Sequence, residues 1–243
     1  MPESVARRDE GISRVTRTKR QSKDSYNRIS RWYDLLEGWW EEASVDRGLR
    51  MLNLREGERV LEIGPGPGEA LLALARMAGR SGRVYGIDIS ANMLQLCRGR
   101  LERADLLDRA DLILGDGAHL PFREGSFDAL FMTFVLELFD TPEIPVVLSE
   151  VRRVLKDDGR ICVVSLSKRA EYGPLVDLYE WGHRALPSLL DCRPIFVQES
   201  LQGADFKALD SAIFSAWGLP VEAVLAGKLP RQAAQPRLRN PGR

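Results

Sequence analysis

The stretch RVLEIGPGPGEALLALA, residues 59–75, decides how the rest of the chain is read. Strand-favouring residues lead into an acid, Glu62, followed by glycines at alternate positions, Gly64, Gly66 and Gly68, and then a helix-forming run. The pattern predicts a strand, a tight turn and a helix start. Glycines in such a turn allow positive φ and put no Cβ between backbone and ligand. The free N–H groups of the helix start face that ligand and favour an anionic group on it. A ligand-free Gly/Pro connection is the alternative reading.

The spacing narrows the ligand. A dinucleotide fingerprint reads G-x-G-x-x-G, but here the third glycine comes one residue early and Glu69 takes the last position. An acid there repels a pyrophosphate. Pro65 and Pro67 remove two N–H donors that a phosphate nest would use. No Lys or Arg lies between Gly64 and Leu74, which excludes a P-loop. The loop suits a ligand with little or no phosphate.

With 243 residues the chain can bury a sizeable core. Its 35 basic and 35 acidic residues are unevenly spread. Residues 1–23 hold seven Lys/Arg and three acids, and residues 228–243 hold five Lys/Arg and no acid, leaving 23 basic against 32 acidic residues between them. An acidic body with two basic tails, 1–23 and 229–243, is expected. The tails read as disordered solubilising ends, with attraction to anionic lipid or nucleic acid as the alternative. Cys97, Cys162 and Cys192 form no disulfide framework or metal spacing, which fits a reducing compartment. No apolar run approaches the ~20 residues of a membrane span, and the N-terminus lacks the apolar core of a secretory signal. A soluble, cytoplasmic protein is expected.

Along the chain, Tyr26, Ile29, Tyr33, Leu36 and Trp40 share one helical face, widened by Trp32 and Trp39. This segment, 24–56, reads as a core-packed helix or a lid over the site. The helix from Glu69 turns Leu71, Leu74, Ala75 and Ala78 inward and ends at Gly79–Gly82. Strand two is Arg83–Asp88, with Asp88 twenty residues after Gly68, where nucleotide folds place an acid for ribose hydroxyls. Ser90 caps a helix with Met93, Leu94, Cys97 and Leu101 inward. Ala110–Gly115 makes a third strand ending at the turn Asp116-Gly117-Ala118, and Phe127–Thr133 a fourth, continued by Phe134-Val135-Leu136. Thr141-Pro142 opens a helix whose inward face is Val147, Leu148, Val151, Val154 and Leu155. Asp157-Asp158-Gly159 turns into strand five, Arg160–Leu166. Five alternations of strand and helix predict a parallel sheet covered on both faces. Ligands of such sheets bind at the carboxyl ends of the strands, where the Gly64 loop, Asp88, Asp116 and Thr133 converge.

The segments VLEIGPGPG (60–68), GIDISANML (86–94), GDGAHLPFREGSFDAL (115–130) and EVRRVLKDDGRICVV (150–164) together resemble class I S-adenosylmethionine-dependent methyltransferases. The resembled branch includes the ubiquinone/menaquinone C-methyltransferases and phosphatidylethanolamine N-methyltransferases. The resemblance implies an α/β, Rossmann-like doubly wound sheet, its five parallel strands completed to seven by an antiparallel C-terminal hairpin. Ala204–Ser215 and Leu219–Lys228, around Trp217-Gly218, would form that hairpin. A single methyltransferase domain over 24–228 is expected, with a helical insertion at 167–200. The resemblance further implies that Glu62, Gly64, Gly66 and Gly68 hold the methionyl end of S-adenosylmethionine, and that Asp88 takes the ribose hydroxyls. Ile89 and Met93 would lie beside the adenine, Asp116, Gly117 and Ala118 at its edge, and Thr133 near the transfer channel. The chain departs from the family at Asp157-Asp158, where proline and glycine are usual, in a turn remote from the ligand.

Methyl transfer from a sulfonium needs positioning more than a dedicated residue, and orientation alone is worth about 7–11 kcal/mol. A base can take the acceptor's proton. Glu137, just past strand four, is the candidate, ahead of His119 and His183. No metal-ligand spacing occurs and no metal is expected. Tyr26, Tyr33, Phe134, Tyr172 and Tyr179 are the candidate acceptor-pocket residues. The aromatic segment and the resembled branch point to a small apolar or amphiphilic acceptor, a quinone precursor or lipid amine. The basic tails are suited to peripheral contact with an anionic membrane. The N-P-P-aromatic signature of base amino methylation is absent after strand four, and no cysteine follows a proline. Nucleic acid is therefore not the expected partner. Two alternatives stay open: an RNA or other nucleic-acid methyltransferase, and a non-catalytic S-adenosylmethionine-binding protein.

Overall fold

The structure is a computed structural model that describes residue 15 and residues 40–169, 193–216 and 218–229. Its elements are α1 (Trp40–Leu52), β1 (Arg59–Ile63), α2 (Glu69–Ala78), β2 (Arg83–Asp88), α3 (Ala91–Arg103), β3 (Ala110–Leu114) and β4 (Phe127–Thr133). They continue with α4 (Ile144–Val154), β5 (Leu155–Leu166), α5 (Val197–Gly203), β6 (Phe206–Ala216) and β7 (Leu219–Lys228). One seven-stranded sheet runs in the order β3-β2-β1-β4-β5-β7-β6. The first five strands are parallel, and β7 and β6 are antiparallel. The expected doubly wound sheet with its C-terminal hairpin is present.

Alternation along the strands sorts the core onto two faces. Val60, Val84, Ala129, Phe131, Cys162 and Val164 pack beneath α1, α2 and α3. Leu61, Ile87, Leu130, Met132, Ile161 and Val163 face α4 and α5. Residues 43–52 of the 24–56 segment pack on the sheet: Val45, Leu49 and Leu52 are buried, and Gly48 lies so close that a Cβ would stand 2.6 Å from Val164 Cγ2. Tyr26, Tyr33, Tyr172, Tyr179 and His183 lie outside the described residues. Val15, in the stretch read as a tail, donates its N–H to Asp140 Oδ1 at 3.1 Å.

Several local expectations change. β4 stops at Thr133, because Phe134 turns into the left-handed region at φ 51° and Leu136–Leu138 forms a 3-10 turn. The Thr141 hydroxyl does not cap α4, which starts at Ile144 with Pro145 in its first turn. Asp157-Asp158-Gly159 is a bulge inside β5 rather than a turn before it: Phe127 pairs with Leu155, and two residues later Ala129 pairs with Arg160.

Candidate functional site

The three glycines each take positive φ, at 69°, 51° and 95°, and each does a different job. At Gly64 a Cβ would stand 2.4 Å from Val135 Cγ2, so the loop after β4 packs directly on the glycine turn. At Gly68 it would stand 2.4 Å from Cys97 Sγ, which lets the start of α2 touch α3. At Gly66 nothing lies within 4 Å, so this backbone borders open space. Two glycines shape the turn, and the middle one presents it.

Glu62 and Asp88 stand at the ends of adjacent strands beside this loop. Asp88 accepts the Ser90 N–H at 2.8 Å and the Gly66 N–H at 3.3 Å, which ties the glycine turn to β2. Burial raises its carboxyl above the usual range, against the hydrogen bonds of Ser90, Gly66 and Ile89. Glu62 is 2% exposed and its Oε2 has no hydrogen-bond partner. Burial, and then the neighbouring Asp88, push its carboxyl up to about 8. Two carboxyls with one orphaned oxygen favour a ligand that brings positive charge and hydrogen-bond donors.

The adjoining turn follows the sequence reading. Asp116 Oδ1 accepts the Ala118 N–H at 2.9 Å, with Gly117 and Ala118 buried. Gly115 donates to Asp88 O at 2.9 Å, which brings this turn beside β2. Ser90 caps α3 by accepting the Met93 N–H; Met93 is buried and Ile89 half-buried. His119 is exposed on the rim, 3.6 Å from Asp116. Burial pushes the thiols of Cys97 and Cys162 up to about 12, leaving neither as a thiolate at neutral pH.

The loop after β4 carries the candidate base. Thr133 Oγ1 is buried without a hydrogen-bond partner. Phe134 is 7% exposed within the core cluster on the α1–α3 face, and its N–H donates to Val164 O at 2.8 Å. A left-handed non-glycine residue costs about 1–3 kcal/mol and persists only where its surroundings dictate it. Glu137 is fully buried rather than solvated. Neither carboxyl oxygen reaches ordinary hydrogen-bond geometry, although Ser165 and the Leu166 peptide border them. Burial raises the Glu137 carboxyl to about 7, against the pull of Ser165, Leu166 and Arg193.

Arg193 went unassigned in the sequence reading. It is fully buried, donating to Glu137 O at 3.1 Å, Thr141 Oγ1 at 3.1 Å and Phe139 O at 2.6 Å. Glu222, also buried, accepts from Ser167 and pairs with Arg169. Among the described residues no group of three or more His, Cys, Asp or Glu is placed to hold a metal ion.

Residues 60–159 match the family model described as a methyltransferase domain. Over these residues the chain is similar to methyltransferase domains, and they lie within the seven-stranded sheet. Over 128 residues the chain is 32% identical to a demethylmenaquinone methyltransferase of Bacillus velezensis. The match takes in 53% of this chain and 54% of that protein, so the chain spans about half the length of this curated relative. Two solved structures share this fold. The cyclase SpnF matches with TM-score 0.73 at 20% identity, over 90% of this chain and 98% of its own. The Burkholderia thailandensis 1,6-didemethyltoxoflavin-N1-methyltransferase, solved with bound 1,6-didemethyltoxoflavin and S-adenosylhomocysteine, matches with TM-score 0.67 at 17% identity, over 90% and 95%. Among the described residues no helix is long and apolar enough to cross a membrane.

Proposed function

We propose that the protein transfers a methyl group from S-adenosylmethionine to a small apolar or amphiphilic acceptor, a quinone precursor or lipid amine. The observation that carries this reading is the orphaned, buried Glu62 carboxyl beside Asp88, at the edge of the open space bordered by Gly66. The cofactor's cationic centres and ribose hydroxyls are the groups this donor-poor, acid-rich site lacks. Glu62 and the glycine turn would hold the methionyl end, Asp88 the ribose, Ile89 and Met93 the adenine face, and Asp116 with Ala118 its edge. When bound, the cofactor supplies a sulfonium methyl that the acceptor atom attacks, the C–S electron pair passing to sulfur. Thr133 would border the transfer channel. Glu137 is the proposed base: its carboxyl, held near 7 by burial, is matched to accepting the acceptor's proton at neutral pH. No metal is called for, and turnover is expected to survive EDTA.

The 32% identity to a demethylmenaquinone methyltransferase supports a quinone-type acceptor. The likeness to a protein named a cyclase supports keeping a second reading, in which the pocket binds the cofactor without methyl transfer. Incubation with methyl-labelled cofactor and a lipid-soluble extract separates them. Label in an organic-phase product is expected. Label confined to RNA, or cofactor binding with no labelled product, would reject the proposal.

A further inference from the structure

Residues 193–195 return the chain to the sheet beside the carboxyl end of β5. The Ile195 N–H donates to Leu166 O at 3.0 Å, and the Lys168 N–H donates back to Ile195 O at 3.0 Å. Ile195 is fully buried, so this short strap is anchored in the core. From it the Arg193 side chain reaches across to three acceptors in residues 137–141. A guanidinium carries five donors in a rigid fork, which suits it to fixing several acceptors at once. The loop it grips is held at its other end by Phe134, whose left-handed backbone is fixed by the bond to Val164 O. Glu137 sits between these two clamps: its own carbonyl is bound by Arg193, and its carboxyl is bordered by Ser165 and Leu166 of β5.

We propose that Arg193 is a positioning residue, which fastens the strap at 193–195 to the loop after β4 and thereby fixes where the Glu137 carboxyl points. This rests on the methyl-transfer reading for what Glu137 does, but not for where it lies. Among the described residues the guanidinium binds three acceptors of this one loop, and its charge draws the Glu137 carboxyl down against the effect of burial. Other charged groups lie on the same elements. Glu222, opposite Ser165 on β7, pairs with Arg169, and Arg169 also binds Glu199 of α5. On the loop itself, Asp140 accepts the N–H groups of Thr141 and Val15.

The test compares wild type, Arg193→Lys and Arg193→Gln in the full chain. Infrared titration of the protonated carboxyl band on carbon-13 glutamate-labelled protein, over roughly pH 5–9, reads the Glu137 midpoint. Glu137→Gln identifies that band. Calorimetry with S-adenosylhomocysteine reads the cofactor site, and demethylmenaquinone serves as the acceptor probe. Arg193→Gln is expected to raise the midpoint and to lower kcat by roughly 10–100-fold, with S-adenosylhomocysteine affinity within about twofold of wild type. Arg193→Lys keeps a charge without the fork, so its midpoint stays near wild type while kcat still falls. Should Arg193→Gln not fold, this split in the lysine variant carries the test. An unmoved midpoint in Arg193→Gln, or full kcat in Arg193→Lys, overturns the positioning role. Failure of the wild type to bind S-adenosylhomocysteine overturns the methyl-transfer reading instead, leaving the midpoint test standing.

Discussion

The two ends of the sheet treat their carboxylates in opposite ways. At the amino ends three acids are paired with cations. Glu58 is held by two Arg160 nitrogens at 2.7 and 2.9 Å, Asp111 by Arg83 at 2.8 Å, and Asp128 by Lys156 and the Arg59 N–H. Burial raises the Glu58 and Asp128 carboxyls, yet these bonds bring both, and Asp111, below their ordinary values. At the carboxyl ends, burial raises Glu62, Asp88 and Glu137, and orphaned oxygens remain on Glu62 and Glu137. One end is finished as a protein. The other is finished only when something is added, which is how perturbed acids mark a site.

The contrast breaks first at Glu137. Glu137→Gln is expected to cut turnover by about 10²–10⁴-fold and to abolish the dependence on a group near pH 7, while S-adenosylhomocysteine still binds. Steady-state rates across pH check this, and unchanged turnover removes Glu137 from the mechanism. At the opposite end, Arg160→Gln strips Glu58 and the Leu52 and Asn53 carbonyls of their donor. A loss of about 1–3 kcal/mol in urea unfolding is expected, with cofactor affinity unchanged.

Stability should follow pH in opposite senses at the two ends. Carboxyls with depressed pKa contribute stability above the unfolded value, lost as pH falls through the folded one. Glu62 and Glu137 do the reverse: between 4.5 and their raised values the folded chain keeps protons that the unfolded chain has released, so stability declines as pH rises through that window. Thermal melts of ligand-free protein should show that decline, and Glu62→Gln should flatten it and stabilise by roughly 1–3 kcal/mol near pH 8. The smallest effect is expected from Asp111→Asn, whose half-exposed pair with Arg83 is worth about 0.2–1 kcal/mol and fades with salt.

The stable frame was more legible in the sequence than the chemistry. Strand and helix periods, the Ser90 cap and the glycine spacing are local signals, and each names its own element. The left-handed turn at Phe134 carries no such signal, because a bond to Val164 on another strand dictates it rather than a glycine. The sequence reading places the start of α4 at Thr141-Pro142, but Pro145 suits a first turn as well, and the helix begins at Ile144 after a turn over residues 141–143. Arg193 could not be distinguished from a surface arginine, since its three acceptors lie more than fifty residues away in the chain. Glu137 was visible as a residue but not as a buried one. Burial is a property of the assembled sheet and of its neighbours Ser165 and Arg193.

The most direct test is calorimetric titration of the full chain with S-adenosylhomocysteine near pH 7, below the value of about 8 to which burial raises the Glu62 carboxyl, in two buffers of different ionisation enthalpy. Binding at one site is expected, with proton release as the Glu62 carboxyl ionises against the methionyl ammonium, and with that release lost in Glu62→Gln. Absence of binding heat in either buffer, together with an unshifted melting temperature, would contradict the account.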